Sequence, residues 1–193
     1  MSGSFERAVA AIDALNSQDP RPDPYEPGRT FESAYSQRMT TWLDCFQPEA
    51  SDALRLAVRA QHIIRWRLPR KDYPMDRAGY KRWRTDLAEL HAQTTAGILR
   101  GCGYDDETIA RVESLLKKRN LKTDSECQTL EDVSCLVFLE SYFADFAAQH
   151  DEAKLIRILQ RTWAKMSERG HQAALALPLP PELSKLLQKA LAG

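Results

Sequence analysis

The segment "LEDVSCLVFLESYFADFAAQ", Leu130 to Gln149, constrains the fold more than any other part of the chain. It is apolar nearly all round, the pattern of a helix buried on every side. A chain of 193 residues with 43% hydrophobic content can build one sizeable core around such a helix. The spacing of apolar residues predicts further helices at Phe5–Leu15, Phe31–Phe46, Asp52–Trp66, Arg77–Arg100, Glu107–Arg119, Glu152–Lys165 and Pro181–Leu191. No segment alternates as a strand does. Ser51 and Asp105 are placed to cap helices, and Gly101 and Gly103 to end the long one. The expectation is therefore an all-α fold: one compact helical domain over 1–193 with the 130–149 helix at its centre. The Pro-rich loop near 20–30 is the sole candidate linker and lies too close to the N-terminus to divide two domains.

Formal net charge is zero and 28% of residues are charged, so bulk composition argues neither for disorder nor for a general polyanion binder. Cys45, Cys102, Cys127 and Cys135 show no CxxC spacing, and no apolar run is long enough to cross a bilayer. A cytoplasmic protein without a membrane partner is expected.

The charge balance is uneven along the chain. Ten Lys or Arg face two acids from Arg55 to Arg84, whereas Thr123 to Ala153 holds eight acids and no Lys or Arg. The two segments either neutralise each other or leave the basic one, interleaved with Trp66, Tyr73, Tyr80 and Trp83, to hold a phosphate by guanidinium forks and ring stacking. Asp132 shares a helical face with Cys135, Leu136, Leu139 and Phe143, so its carboxylate points toward packed surface. Either Thr129-x-x-Asp132 is a capping box or Asp132 needs a cation, a donor or a metal. Glu140, between Val137 and Phe143, is expected to pair with an arginine. Arg77, Tyr80, Arg84, Leu87 and His91 form one stripe, and Arg55, Arg59, His62 and Trp66 another, with Arg65 beyond His62.

A helix with His62, then "LHAQTTAGILRGCGYDDETIARVESLLKKR", then "LEDVSCLVFLE" resembles the HD-domain superfamily of helical metal-dependent phosphohydrolases. The resemblance implies that His62 matches the histidine of the His-Asp pair, His91 an accessory histidine and Asp132 the distant aspartate. Ile63 stands where the paired aspartate is expected, Arg38 about where the first histidine is, and Lys118 and Arg119 where a further histidine can occur. Over nearly its whole length the sequence is also similar to an uncharacterised domain family, DUF4202, through "AQHIIRW", "YPMDRAGYKRWR", "LEDVSCLVFLE" and "WAKMSERGH". That family carries no established activity.

These substitutions point to a metal pocket rebuilt with cations. The expected ligand is a small phosphorylated molecule, a nucleotide foremost. Arg38, Arg59, Arg65, Arg77, Arg84, Lys118 and Lys122 are the candidate charges, with Trp66, Tyr80 and Glu140 beside them. If the protein is an enzyme it is a phosphohydrolase, with His62 or His91 moving the proton and Asp132 orienting it. No resident metal is expected; a weakly held divalent ion is the one cofactor left open. Two alternatives stand: a residual divalent-metal phosphohydrolase using His62, His91 and Asp132, and an RNA-binding or adaptor protein using the Arg55–Arg84 face.

Overall fold

The computed structural model describes residues 2–192, and among them the regular structure is helical throughout, with one isolated antiparallel bridge between Pro22 and Thr30. The chain folds into two compact units, Met1–Cys127 and Gln128–Gly193. Their boundary falls inside a helix and not in the Pro-rich segment.

In the first unit, α1 (Ser2–Asn16) packs on α2 (Phe31–Phe46), α3 (Asp52–Arg59) and α4 (Arg77–Gly101), while α5 (Asp106–Leu116) packs on α3 and α4. Helices α2 and α5 each bury one stripe, whereas α3 buries side chains on opposite faces. Tyr35, Met39, Leu43 and Phe46 are buried on α2, Leu54, Leu56, Ala57 and Val58 on α3, and Ile109, Val112, Leu115 and Leu116 on α5. Burying a side chain of this size contributes about 1.5–3 kcal/mol, which is why these buried faces set the packing. Ser51 caps α3 by accepting from the Leu54 N–H at 3.1 Å, and Asp105 caps α5 by accepting from Thr108 at 2.7 Å.

The Pro-rich segment is tightly organised. Asp19 accepts from the Arg21 and Glu32 backbone N–H groups at 3.0 and 3.1 Å and from the Arg21 guanidinium. Asp23 accepts from the N–H groups of Tyr25 and Glu26 and takes a fork from Arg38 at 2.8 and 2.9 Å. Both carboxylates are buried and act as acceptors for loop N–H groups that have no regular secondary structure to pair in.

In the second unit the expected 130–149 helix is one continuous buried path in three pieces. α6 (Ser125–Val137) starts five residues early, a π-helical turn occupies Phe138–Tyr142, and α7 (Phe143–Ala148) completes it. Leu130, Val133, Leu136, Val137, Leu139 and Phe143 are all at most 1% exposed. α8 (Glu152–Trp163) packs on α10 (Pro181–Leu191), each burying a pair of leucine or alanine side chains: Leu155 and Leu159, Leu187 and Ala190. Between them lies α9 (Glu168–Leu175), a short helix that the periodicity did not announce.

Two expectations are corrected. Because α6 begins at Ser125, with Asp124 accepting from Glu126 and Cys127 at 3.1 and 3.2 Å, Thr129 and Asp132 lie inside the helix and form no capping box. The α3 helix stops at Arg59, seven residues short of Trp66.

Candidate functional site

The stop after Arg59 shapes the site. Single-turn hydrogen bonds from Gln61, Ile63, Arg65 and Arg67 carry the chain onward, and Ile64 takes the left-handed conformation with φ of 49°. A β-branched residue there costs about 1–2 kcal/mol, which the burial of Ile63 and Ile64 offsets. The reversal sends His62 and Arg65 to the same place. Arg65 Nη1 lies 2.7 Å from His62 Nε2, and the His62 ring stacks on Tyr35 at 4.0 Å with 12° between planes. An arginine can only donate, so Nε2 accepts and the His62 proton is on Nδ1. Arg55 and Arg59, expected on a stripe with His62, instead turn to carboxylates: Arg55 to Asp44 at 2.5 Å, and Arg59 to both oxygens of Asp13 at 2.7 Å.

Helix α4 pins this turn down. Asp76 caps it through the Gly79 N–H at 2.7 Å. Gly79 is required there, since a Cβ would meet the Pro74 carbonyl oxygen at 2.1 Å. Further along, Trp83 Nε1 donates to the Leu68 carbonyl at 2.9 Å and His91 Nδ1 donates to the Ile63 carbonyl at 2.7 Å. That second bond places the His91 proton on Nδ1 and leaves a lone pair on Nε2. The stripe expected on α4 divides: Leu87 and His91 are buried, Arg84 is exposed at the pocket, and Arg77 and Tyr80 point to solvent away from it.

The fifth helix supplies the remaining wall. Lys118 has φ of 51°, its N–H bonds to the Leu115 carbonyl and the Arg119 N–H to the Ser114 carbonyl. This is a Schellman motif with lysine at the position where glycine is usual. It ends α5 and turns Lys118 and Arg119 toward His62 and His91.

These elements enclose a cavity of about 370 Å³ lined by His62, Arg65, Arg84, His91, Lys118 and Arg119, with Leu87, Ala88 and Leu116 as its apolar side. Five cations line it, Lys117 included, against one carboxylate, Glu89, which Lys117 already holds at 2.9 Å. Burial, then the neighbouring Arg65, keep His62 uncharged far below the ordinary histidine range. Burial, reinforced by Arg65 and Arg84, depresses His91 to about 3. Arg65 sits 5.0 Å above the Trp83 ring, and burial lowers its pKa as well.

Behind His62 lies Glu32, whose side chain is fully buried. Arg21 donates to its Oε1 at 2.7 Å, while Oε2 lies 3.6 Å from His62 Nδ1. Burial raises the Glu32 carboxyl to about 7 in spite of Arg21. Glu32 was missed in the sequence, although it stands in phase with Tyr35, Ser36, Met39 and Leu43 at offsets of three, four, seven and eleven. Asp132 drew notice for the same offsets. Gln61, 6% exposed and on the pocket wall, was missed too and carried no signal beyond its neighbours.

The other candidates lie elsewhere. Arg38 is paired with Asp23 and Glu26. Trp66 is half-buried in the Arg65–Arg67 turn and Lys122 is exposed beyond α5. Glu140 is exposed within the π turn, because the wider turn rotates it off the buried face. Asp132, 1% exposed in the second unit, accepts from the Ser167 N–H at 2.8 Å, the Ser167 hydroxyl at 2.5 Å and Gln128 at 3.0 Å. It thereby holds the start of α9, and Gly170 is needed opposite it because a Cβ would meet Asp132 Oδ1 at 2.7 Å. Among the described residues no group of three or more His, Cys, Asp or Glu is placed to hold a metal ion.

A search of curated proteins and a search of solved structures each found no match. The model of one family, a domain of unknown function designated DUF4202, matches residues 6–187. The chain therefore belongs to the DUF4202 family.

Proposed function

We propose that the pocket between the turn after α3, helix α4 and the end of α5 binds a small phosphate-bearing ligand, with a nucleotide as the form that its apolar side suits. The observation that supports this most is how the arginines sort. Arg21, Arg38, Arg55, Arg59 and Arg111 each meet a carboxylate. Arg84 and Arg119, at the pocket, have no side-chain hydrogen bond or ion pair among the described residues, and Arg65 spends its hydrogen bond on a neutral imidazole. Five cations gathered around one carboxylate, Glu89, repel one another at a cost. A phosphate offsets that cost, each charge-assisted bond contributing about 1.5–3 kcal/mol.

His91 gives the pocket its chemistry. Its Nε2 lone pair can accept an O–H or N–H from the ligand, and a bound dianion beside Arg65 and Arg84 raises its basicity from the depressed value of the empty pocket. If turnover occurs, the reaction class is phosphoester hydrolysis with His91 as the proton acceptor. The metal that the HD-domain resemblance implies does not fit these residues. The His62 Nε2 lone pair is taken by Arg65, and a guanidinium 2.7 Å away would repel a divalent ion. None of the four cysteines is in a disulfide, which supports a cytoplasmic setting.

A second reading, nucleic-acid binding, is favoured by one feature. Arg77, Lys81 and the half-exposed Tyr80 lie together on α4, with Arg70 5.9 Å from the Tyr80 ring. A thermal-shift screen of nucleotides and sugar phosphates separates the two. The pocket reading predicts stabilisation that survives moderate salt, is lost in Arg84→Ala and is poorly restored by Arg84→Lys, because the lysine lacks the fork. No phosphorylated stabiliser, or a response unchanged in Arg84→Ala, would contradict it.

A further inference from the structure

We propose that Glu32 is a positioning residue of this pocket, acting through His62 to aim Arg65 at the bound phosphate. The inference rests on the phosphate-binding reading for its purpose, but its geometry stands apart from it. Among the described residues four buried side-chain polar atoms have no hydrogen-bond partner, and two of them, Glu32 Oε2 and His62 Nδ1, face each other at 3.6 Å. The Arg65 bond forces the His62 proton onto Nδ1, so that N–H points at the carboxylate. Glu32 fixes the tautomer, the tautomer keeps Nε2 open as an acceptor, and the acceptor holds a guanidinium that stacking on Trp83 already restrains. The ring cannot swing free, because Tyr35 stacks on it. Arg21, half-exposed on the Pro-rich segment, occupies the other oxygen of Glu32, so the same carboxylate ties that segment to the pocket.

A glutamine at position 32 cannot do this. Its one oxygen is needed by Arg21, which leaves the amide N–H₂ facing His62 Nδ1. Two donors then oppose each other, and His62 must move its proton to Nε2 and release Arg65.

Nitrogen NMR of the imidazoles in the intact protein tests the proposal. The wild type should show His62 protonated on Nδ1 and bare on Nε2, with the Nδ1 proton protected from exchange. Glu32→Gln should convert His62 to the other tautomer and weaken binding of inorganic pyrophosphate about tenfold, the loss typical when an orienting partner is removed. In an Arg65→Ala background Glu32→Gln should add almost nothing, since the residue it positions is gone. A His62 proton on Nε2 in the wild type, or one on Nδ1 that exchanges freely, overturns the proposal even if the variants fail to fold. An unchanged tautomer in folded Glu32→Gln overturns it as well. Pyrophosphate that fails to bind the wild type, with the tautomers as expected, counts against the phosphate reading and leaves the Glu32–His62–Arg65 alignment standing.

Discussion

Lys118 holds the position after α5 where glycine is usual, with φ of 51°. Left-handed backbone at a lysine costs about 1 kcal/mol that a glycine would not incur. Such a cost at a pocket wall points to a side chain kept for its charge. Lys118→Gly is accordingly expected to raise unfolding stability by about 1 kcal/mol in urea titrations and to weaken phosphate binding. A variant that loses stability and binds phosphate as before would mean that the lysine only complements the negative end of the helix dipole. At this scale the sequence was informative where charge carried the signal. His62, Arg65, Arg84, His91 and Lys118, scattered over fifty-seven positions, do come together. It was uninformative where pairing decided. Nothing in the order of residues says that Arg38 and Arg59 go to Asp23 and Asp13, or that Ser167 engages Asp132, because those contacts join residues at least fifteen positions apart.

Several helix starts were legible from a local residue, although those that Asp124 and Ser167 set, at α6 and α9, were not. Pro181 opens α10, Ser51 caps α3 and Asp105 caps α5, so these starts stood within a residue of expectation. The far end of α3 was not, since "HIIRW" has helical periodicity and only the burial of Ile63 and Ile64 makes the left-handed turn affordable. The start of α4 gives an element-scale test. Gly→Ala inside a helix ordinarily gains up to about 1 kcal/mol. At Gly79 a Cβ would fall 2.1 Å from a backbone oxygen of Pro74, so Gly79→Ala should reverse that sign and cost at least about 2 kcal/mol. It should also loosen the pocket, because the Trp83 and His91 bonds hang from this helix. Chemical unfolding that shows Gly79→Ala as stable as the wild type would refute the close packing.

At the scale of the whole molecule, protons bound inside the first unit shape the response to pH. An unfolded histidine charges near 6.5 whereas folded His91 resists to about 3, and burial also holds folded His62 well below the ordinary value. The unfolded state therefore binds more protons below 6.5, and stability falls as the solution is acidified. Glu32 acts in the opposite sense. Its folded value of about 7 lies above the ordinary 4.5, so the folded state holds the extra proton and stability falls as pH rises between them. Glu32→Gln should remove that opposition, so stability rises more steeply between about pH 5 and about pH 6.5, by up to about 1.4 kcal/mol per pH unit. Denaturant titrations across that range check it; parallel curves for variant and wild type would show that Glu32 does not titrate there. The central claim is that the cations on the turn after α3, on α4 and just past the end of α5 form a phosphate pocket, and titrating the protein with inorganic pyrophosphate and with adenosine monophosphate while following the His62 and His91 nitrogen signals tests it most directly. The account predicts saturable shifts at both imidazoles that Arg84→Ala abolishes. Signals that stay fixed at saturating ligand, or that shift equally in Arg84→Ala, would contradict it.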